Sequence, residues 1–111
     1  MGQINYFSGI VKILENPKEK ILSQKISVTV FRVELPQIRK NRVVLLMFWG
    51  NLGHEIRNYY QVNDYILIEG YLSIRNKNKQ NFTPKQAKKI VITVLKVYPF
   101  LLQPKRLSNP T

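Results

Sequence analysis

The sequence predicts an all-β domain with one short helix, a five-stranded Greek-key barrel, and three observations predict it. Five stretches show the two-residue alternation or the short apolar run of β-strands. One segment shows the three-to-four spacing of a helix, and it falls between the third strand and the fourth. The 111 residues suffice for one closed core and not for two.

Taken in order, Tyr6 to Leu14 (YFSGIVKIL) reads as the first strand, with Gly9 marking a bend or a close backbone approach. Asn16-Pro17-Lys18 breaks it. Ile26 to Leu35 alternates with Ile26, Val28 and Val30 on one face, then slips so that Phe31, Val33 and Leu35 carry the apolar set. A β-bulge near Val30 would produce that slip and help a strand coil into a small barrel. Pro36 ends the strand, and Pro36 to Asn41 is a short basic connection. Val43 to Gly50 (VVLLMFWG) is apolar throughout until its glycine, which suits a central strand buried on both faces. Leu52 to Val62 places Leu52, Ile56 and Tyr59 or Tyr60 on one helical stripe, and Asn63-Asp64 is a turn. Tyr65 to Arg75 alternates again, with Ile66, Ile68, Leu72 and Ile74 facing one way and Tyr71, Ser73 and Arg75 the other. Asn76 to Lys89 is polar, basic and interrupted by Pro84, a long loop or distorted hairpin. Ile90 to Val97 is the last strand. Residues 1–98 therefore form the domain, and 99–111, with Pro99, Pro104 and Pro110, an irregular basic tail. Five strands with a helix between the third and fourth is the order of the OB-fold, whose outer face and loops bind oligonucleotides or oligosaccharides.

Composition narrows the function. There is no cysteine and a single histidine, His54, so disulfides, thiolate metal sites and a His-based catalytic triad are excluded, and no cofactor is expected. Glu55, Asp64 and Glu69 are scattered and form no acid/base pair, so the chain does not read as an enzyme. No apolar stretch approaches the roughly 20 residues of a membrane span, and no signal peptide or transit peptide is apparent, so the chain reads as soluble. Tyr6 occupies the position where a myristoylation signal needs Ser or Thr, and Asn81-Phe82-Thr83 is a chance glycosylation match.

The net charge is +12, from 18 basic and 6 acidic side chains, which favours a polyanion, with nucleic acid first. Abundant Ile, Asn and Lys beside a single alanine, Ala87, are the mark of an AT-rich genome, so total lysine is weak evidence. Placement is stronger: no acidic residue follows Glu69, while nine lysines and arginines do, from Arg75 to Arg106.

The run RVVLLMFWGNLGHEIRNYYQVNDYILIEGYLSIR resembles the middle of bacterial-type single-stranded DNA-binding (SSB) proteins, particularly the short cyanobacterial and plastid versions. The shared features are a strand ending in Trp49-Gly50, the helix from Leu52, the Asn63-Asp64 turn, and Ile68-Glu69-Gly70-Tyr71-Leu72. The resemblance spans Tyr6 to Tyr98 and is strongest from Arg42 to Arg75. It implies a sheet surface on which bases stack on aromatic rings while phosphates follow lysines and arginines, with Trp49 at a base-stacking position. It also implies a dimer or tetramer assembled through sheet edges, the first strand being the partner edge. Two departures stand out. Lys77 lies where bacterial members carry a hairpin tryptophan, and PKRLSNPT replaces the acidic tip through which they recruit partners, so recruitment of that kind is not expected.

The candidate nucleic-acid-binding residues are Trp49, Tyr71 and Phe82 for stacking, with Arg42, Arg75, Lys77, Lys79, Lys85, Lys88 and Lys89 for phosphates. Each has a plainer alternative. Trp49 could pack inward or at a subunit interface, Tyr71 could serve sheet packing, Phe82 could anchor its loop, and the lysines could be a solvated hairpin. Arg32 and Arg39 are weaker candidates, and His54 reads as a surface residue. The expected function is sequence-independent binding of single-stranded DNA in replication, recombination or repair. The alternatives are a tail-less OB-fold adaptor of the replication machinery, or an RNA-binding OB protein. A plastid or an AT-rich bacterium is the expected setting.

Overall fold

Where the sequence alternates, the chain forms strands that close on themselves. The computed structural model describes residues 5–36, 42–76 and 88–104. Its elements are β1 (Tyr6–Ile13), β2 (Lys18–Ile21), a 3-10 turn (Ser23–Lys25), β3 (Ser27–Leu35), β4 (Arg42–Trp49), α1 (Gly50–Tyr59), β5 (Tyr65–Asn76) and β6 (Lys88–Leu101). The sheet order is β1-β5-β6-β4-β3-β2, and β1 also pairs with β3 at Lys12↔Glu34 and Ile13↔Val33. That last pairing closes β1, β5, β6, β4 and β3 into a ring of five strands, with β2 outside it along the first half of β3. The fold is therefore the mainly β, single-helix OB-type ring that the alternation predicts.

The interior is built by one face of each of the five ring strands. Val11, Ile13, Phe31, Val33, Val44, Leu46, Phe48, Ile66, Ile68, Ile92 and Val94 are buried, and Ile56 of α1 plugs the same core. Each such side chain contributes about 1.5–3 kcal/mol by leaving water. The Phe31 and Phe48 rings stack at 5.4 Å with planes 5° apart. Asp64, which is buried, ties the turn before β5 to the segment after β6: its carboxylate accepts the Gln61 N–H at 2.8 Å and the Gln103 N–H at 2.7 Å.

Several sequence expectations change. β2 was not foreseen, because all four residues of Lys-Glu-Lys-Ile are exposed and carry no apolar alternation. The expected bulge near Val30 is absent: β3 pairs with β4 in unbroken register from Val28↔Trp49 to Leu35↔Arg42. The apolar pattern slips there because Val28 and Thr29 are buried on opposite faces, not because a residue is inserted. The register shifts lie instead between β5 and β6, at Tyr65/Ile66 and Glu69/Gly70. At the second, Gly70 allows close approach: a Cβ there would be driven into the Thr93 carbonyl oxygen. β4 is buried on one face only, since Val43 and Trp49 on the other face are exposed.

The helix starts and ends earlier than its apolar stripe suggests. Gly50 takes a left-handed φ of 57°, swinging the chain from β4 directly into α1, and Tyr60 is already extended. β6 continues past Val97 to Leu101, with Pro99 paired to Ile66. Proline is tolerated because β4 pairs with β6 only over Val91–Thr93, leaving the missing N–H on an open edge. β5 and β6 pair as far as Asn76↔Lys88, and the loop or distorted hairpin expected over Asn76 to Lys89 otherwise lies outside the described residues.

Candidate nucleic-acid interface

The residues that do not face the core form the outer surface of the sheet, and strand register determines which of them meet. Val30, Met47, Thr93, Tyr71 and Tyr6 follow one another across β3, β4, β6, β5 and β1. Arg32, Leu45, Val91 and Ser73 form the next row, and Arg75 pairs directly with Lys89 beyond it. Trp49 stands opposite Val28 at the other end of β4. The surface therefore has aromatic rings toward one end and cations toward the other, with aliphatic residues between.

Trp49 is 45% exposed, with Val44, Leu46 and Phe48 on the opposite face of its strand. Its position at the rim follows from Gly50. A Cβ at Gly50 would meet nothing within 4 Å, so glycine is needed there for its backbone angle and not for space. Tyr71 is 51% exposed and lies edge-on to Tyr6, ring centroids 5.8 Å apart and planes at 73°. Tyr6 donates its hydroxyl hydrogen to Glu69 Oε1 at 2.7 Å. That bond, which ionisation would destroy, pushes the Tyr6 phenol above its ordinary value, with loss of hydration and the Glu69 charge acting in the same direction. Tyr71 belongs to the row of Met47, two strand spacings across the sheet, so it stands roughly 10 Å or more from the line of Trp49.

At the far end of β4, Arg32, Arg42 and Lys89 converge on a shallow groove of about 360 Å³ floored by Val43, Leu45 and Ile90. Arg42 and Trp49 are seven residues apart on one strand, roughly 23 Å. Arg32 is held at the groove by Glu15, whose Oε1 accepts from Arg32 Nη2 at 3.1 Å and whose Oε2 accepts the Arg32 backbone N–H at 2.8 Å. The guanidinium bond holds the Glu15 carboxyl below its ordinary range, against an opposing loss of hydration.

Of the residues singled out in the sequence, Arg42 and Lys89 come together, Arg75 joins them through Lys89, and Trp49 and Tyr71 share the outer surface. Lys88 lies in β6 opposite Asn76. Lys77, Lys79, Phe82 and Lys85 fall outside the described residues, as does Arg39. Tyr6 was not among the candidates, because only the β1–β5 register brings it beside Tyr71. His54 Nδ1 lies 3.4 Å from Arg57 Nη2 and its Nε2 lies 3.1 Å from the Asn58 amide, so its ring contacts its own helix. Among the described residues no group of three or more His, Cys, Asp or Glu could hold a metal, and no helix is long and apolar enough to cross a membrane.

Comparison with known proteins adds a sequence relative and three solved structures. A Trieres chinensis protein named "Putative single-stranded DNA-binding protein ycf41" is 38% identical over 110 residues, covering 96% of this chain and 97% of its own. The SSB domain of a Synechococcus sp. protein superposes with a TM-score of 0.69 at 20% identity, over 88% of this chain and 98% of its own. A small single-stranded DNA-binding protein from Streptomyces coelicolor gives 0.73 at 11% identity, over 90% and 95%. The second single-stranded DNA-binding protein (SSBb) of Mycobacterium smegmatis gives 0.69 at 17% identity, over 94% and 100%. These three share the fold. No family model matches the chain.

Proposed function

The chain belongs to the single-stranded DNA-binding protein family, and from that membership we propose that it binds single-stranded DNA without regard to sequence, by stacking and charge and without a chemical step. One observation carries the reading: the exposed indole of Trp49 shares the outer surface of the sheet with the Tyr6–Tyr71 pair, Arg32 and Lys89, and Arg42 at the start of β4 lines the same groove as those two cations. Stacking on a ring is worth about 1–3 kcal/mol per base and accepts any base. Arg42, Lys89 and Arg75 neutralise phosphates at one end of the path, and Lys88 with Lys77, Lys79, Phe82 and Lys85, which lie between β5 and β6 in the sequence, extends the contact.

β1 pairs with β3 only at Lys12 and Ile13, so its edge over the preceding residues is open among the described pairings, which supports assembly through that strand. The composition supports a plastid or an AT-rich bacterium as its home.

Titration with poly(dT), poly(U) and duplex DNA tests the proposal. The chain has one tryptophan, so the emission reports on Trp49 alone. Quenching by poly(dT), with log K falling by about 0.7 per phosphate contact as log salt rises, is the expected outcome. Absence of quenching, or an affinity indifferent to salt, contradicts it. Preference for poly(U) assigns the surface to RNA instead.

A further inference from the structure

Trp49 has a second neighbourhood that the sheet surface does not account for. Beyond the end of β4, Trp49 lines a groove of about 600 Å³ between the 3-10 turn and the start of α1. Lys25, Ile26 and Ser27 line it from the turn, and Asn51, His54 and Arg57 from the helix. Glu19 of β2 also reaches it.

The walls differ in what they offer. Arg57 is committed to the structure: it donates to Thr29 Oγ1 at 2.6 Å and lies 3.6 Å from Glu19 Oε1, so its charge is largely answered by Glu19. Lys25 has no acidic partner among the described residues and is exposed. It occupies a left-handed backbone position, φ 65°, at the end of the 3-10 turn, next to Ile26. Ile26 is 51% exposed, an aliphatic side chain lining the same groove as the indole. A flat apolar plate, an aliphatic flank and one unanswered cation are the complement of a single nucleotide: base on the plate, phosphate at the cation.

We propose that this groove is a nucleotide subsite distinct from the outer sheet surface. Single-stranded DNA leaves the sheet at Trp49 and turns onto the helix side, seating one base between the indole and Ile26 with its phosphate at Lys25. The proposal rests on the single-stranded DNA reading above and adds residues from the β2–β3 connection and α1 to it.

The test is a salt series of oligo(dT) titrations on the full chain, read by Trp49 emission, for wild type, Lys25→Asn and Ile26→Ser. Asparagine tolerates the left-handed backbone that Lys25 occupies, and Ile26 is exposed, so thermal melts should match wild type. Lys25→Asn is expected to lower the salt slope by about 0.7, the value for one phosphate, with a several-fold loss of affinity. Ile26→Ser is expected to reduce the fraction of Trp49 emission quenched at saturation while leaving the slope unchanged. If wild type binds oligo(dT) and either variant keeps the wild-type value of its own readout, the subsite is wrong and the single-stranded DNA reading stands. If wild type does not bind oligo(dT), both fall.

Discussion

Asp64 is a buried carboxylate that answers two backbone donors, Gln61 N–H from its own turn and Gln103 N–H from the segment after β6. Hydrogen bonds to a charged group are worth more than neutral ones, and their donors would be orphaned by truncation. Asp64→Ala should therefore cost about 3 kcal/mol in a urea melt, with faster amide exchange at Gln103 than at core positions. Glu15 makes a weaker, more exposed attachment. Its folded-state pKa lies below its ordinary value of 4.5, so the unfolded chain takes up this proton more readily. Its contribution is then fully present above that value and is lost as pH falls through the lower, folded-state one. The pair is solvent-screened, with Arg32 at 61% side-chain exposure, so the loss should stay below about 1 kcal/mol. Glu15→Gln should flatten the stability curve as pH falls below the ordinary value of 4.5; an unchanged curve would show that the pair contributes nothing. Neither attachment was visible beforehand: a carboxylate in a turn and a glutamate after a strand look like solvated surface until their partners are known.

At the level of elements, two glycines act for different reasons. Gly70 lies at the register shift between β5 and β6, where a Cβ collides with backbone, while Gly50 has open space and an unusual φ. Gly70→Ala should cost about 3 kcal/mol by overpacking, whereas Gly50→Ala should cost about 1 kcal/mol through backbone strain alone. Thermal melts of the two variants check the ranking, and equal costs would refute the close-approach account of Gly70. The glycines themselves were legible as parts of the Trp-Gly and Glu-Gly features. The bulge was not. It was expected in β3, where the apolar phase slips, because a slip read from one strand does not distinguish an inserted residue from a position buried on the outer face, as Val28 is. β2 escaped for a related reason, since an exposed edge strand has no apolar set to alternate.

For the molecule as a whole, the net charge of +12 must be accommodated on a ring-shaped domain with few carboxylates. Like charges oppose compaction, and a ligand that binds only the folded state stabilises it by mass action. Poly(dT) at 100 times its dissociation constant should therefore raise the unfolding free energy by about 2.7 kcal/mol, seen as a higher melting temperature that returns to the free value in high salt. A shift that survives high salt would argue against phosphate neutralisation as its source. The candidate surface exists only at this scale. Arg32, Arg42 and Lys89 come from three different strands, and Tyr6 and Tyr71 are 65 residues apart in the chain while directly opposite in the sheet.

By itself the sequence determined, to within a few residues, where five of the six strands and the helix fall, and the inward and outward faces of a strand that alternates cleanly, such as β5. Those follow from the pleat, whose two-residue period is a property of each strand alone. Only the tertiary structure decided which strands are neighbours, in what register, and where the chain shifts register to close the ring. Pairing partners are distant in sequence, and their choice is a balance of contacts that no single segment contains. Hence the strand that ends in Trp49 could be anticipated, but the exposed side of that strand, the tyrosine beside Tyr71, the arginine held by Glu15 and the lysine across the groove from the indole appear only once the ring is closed.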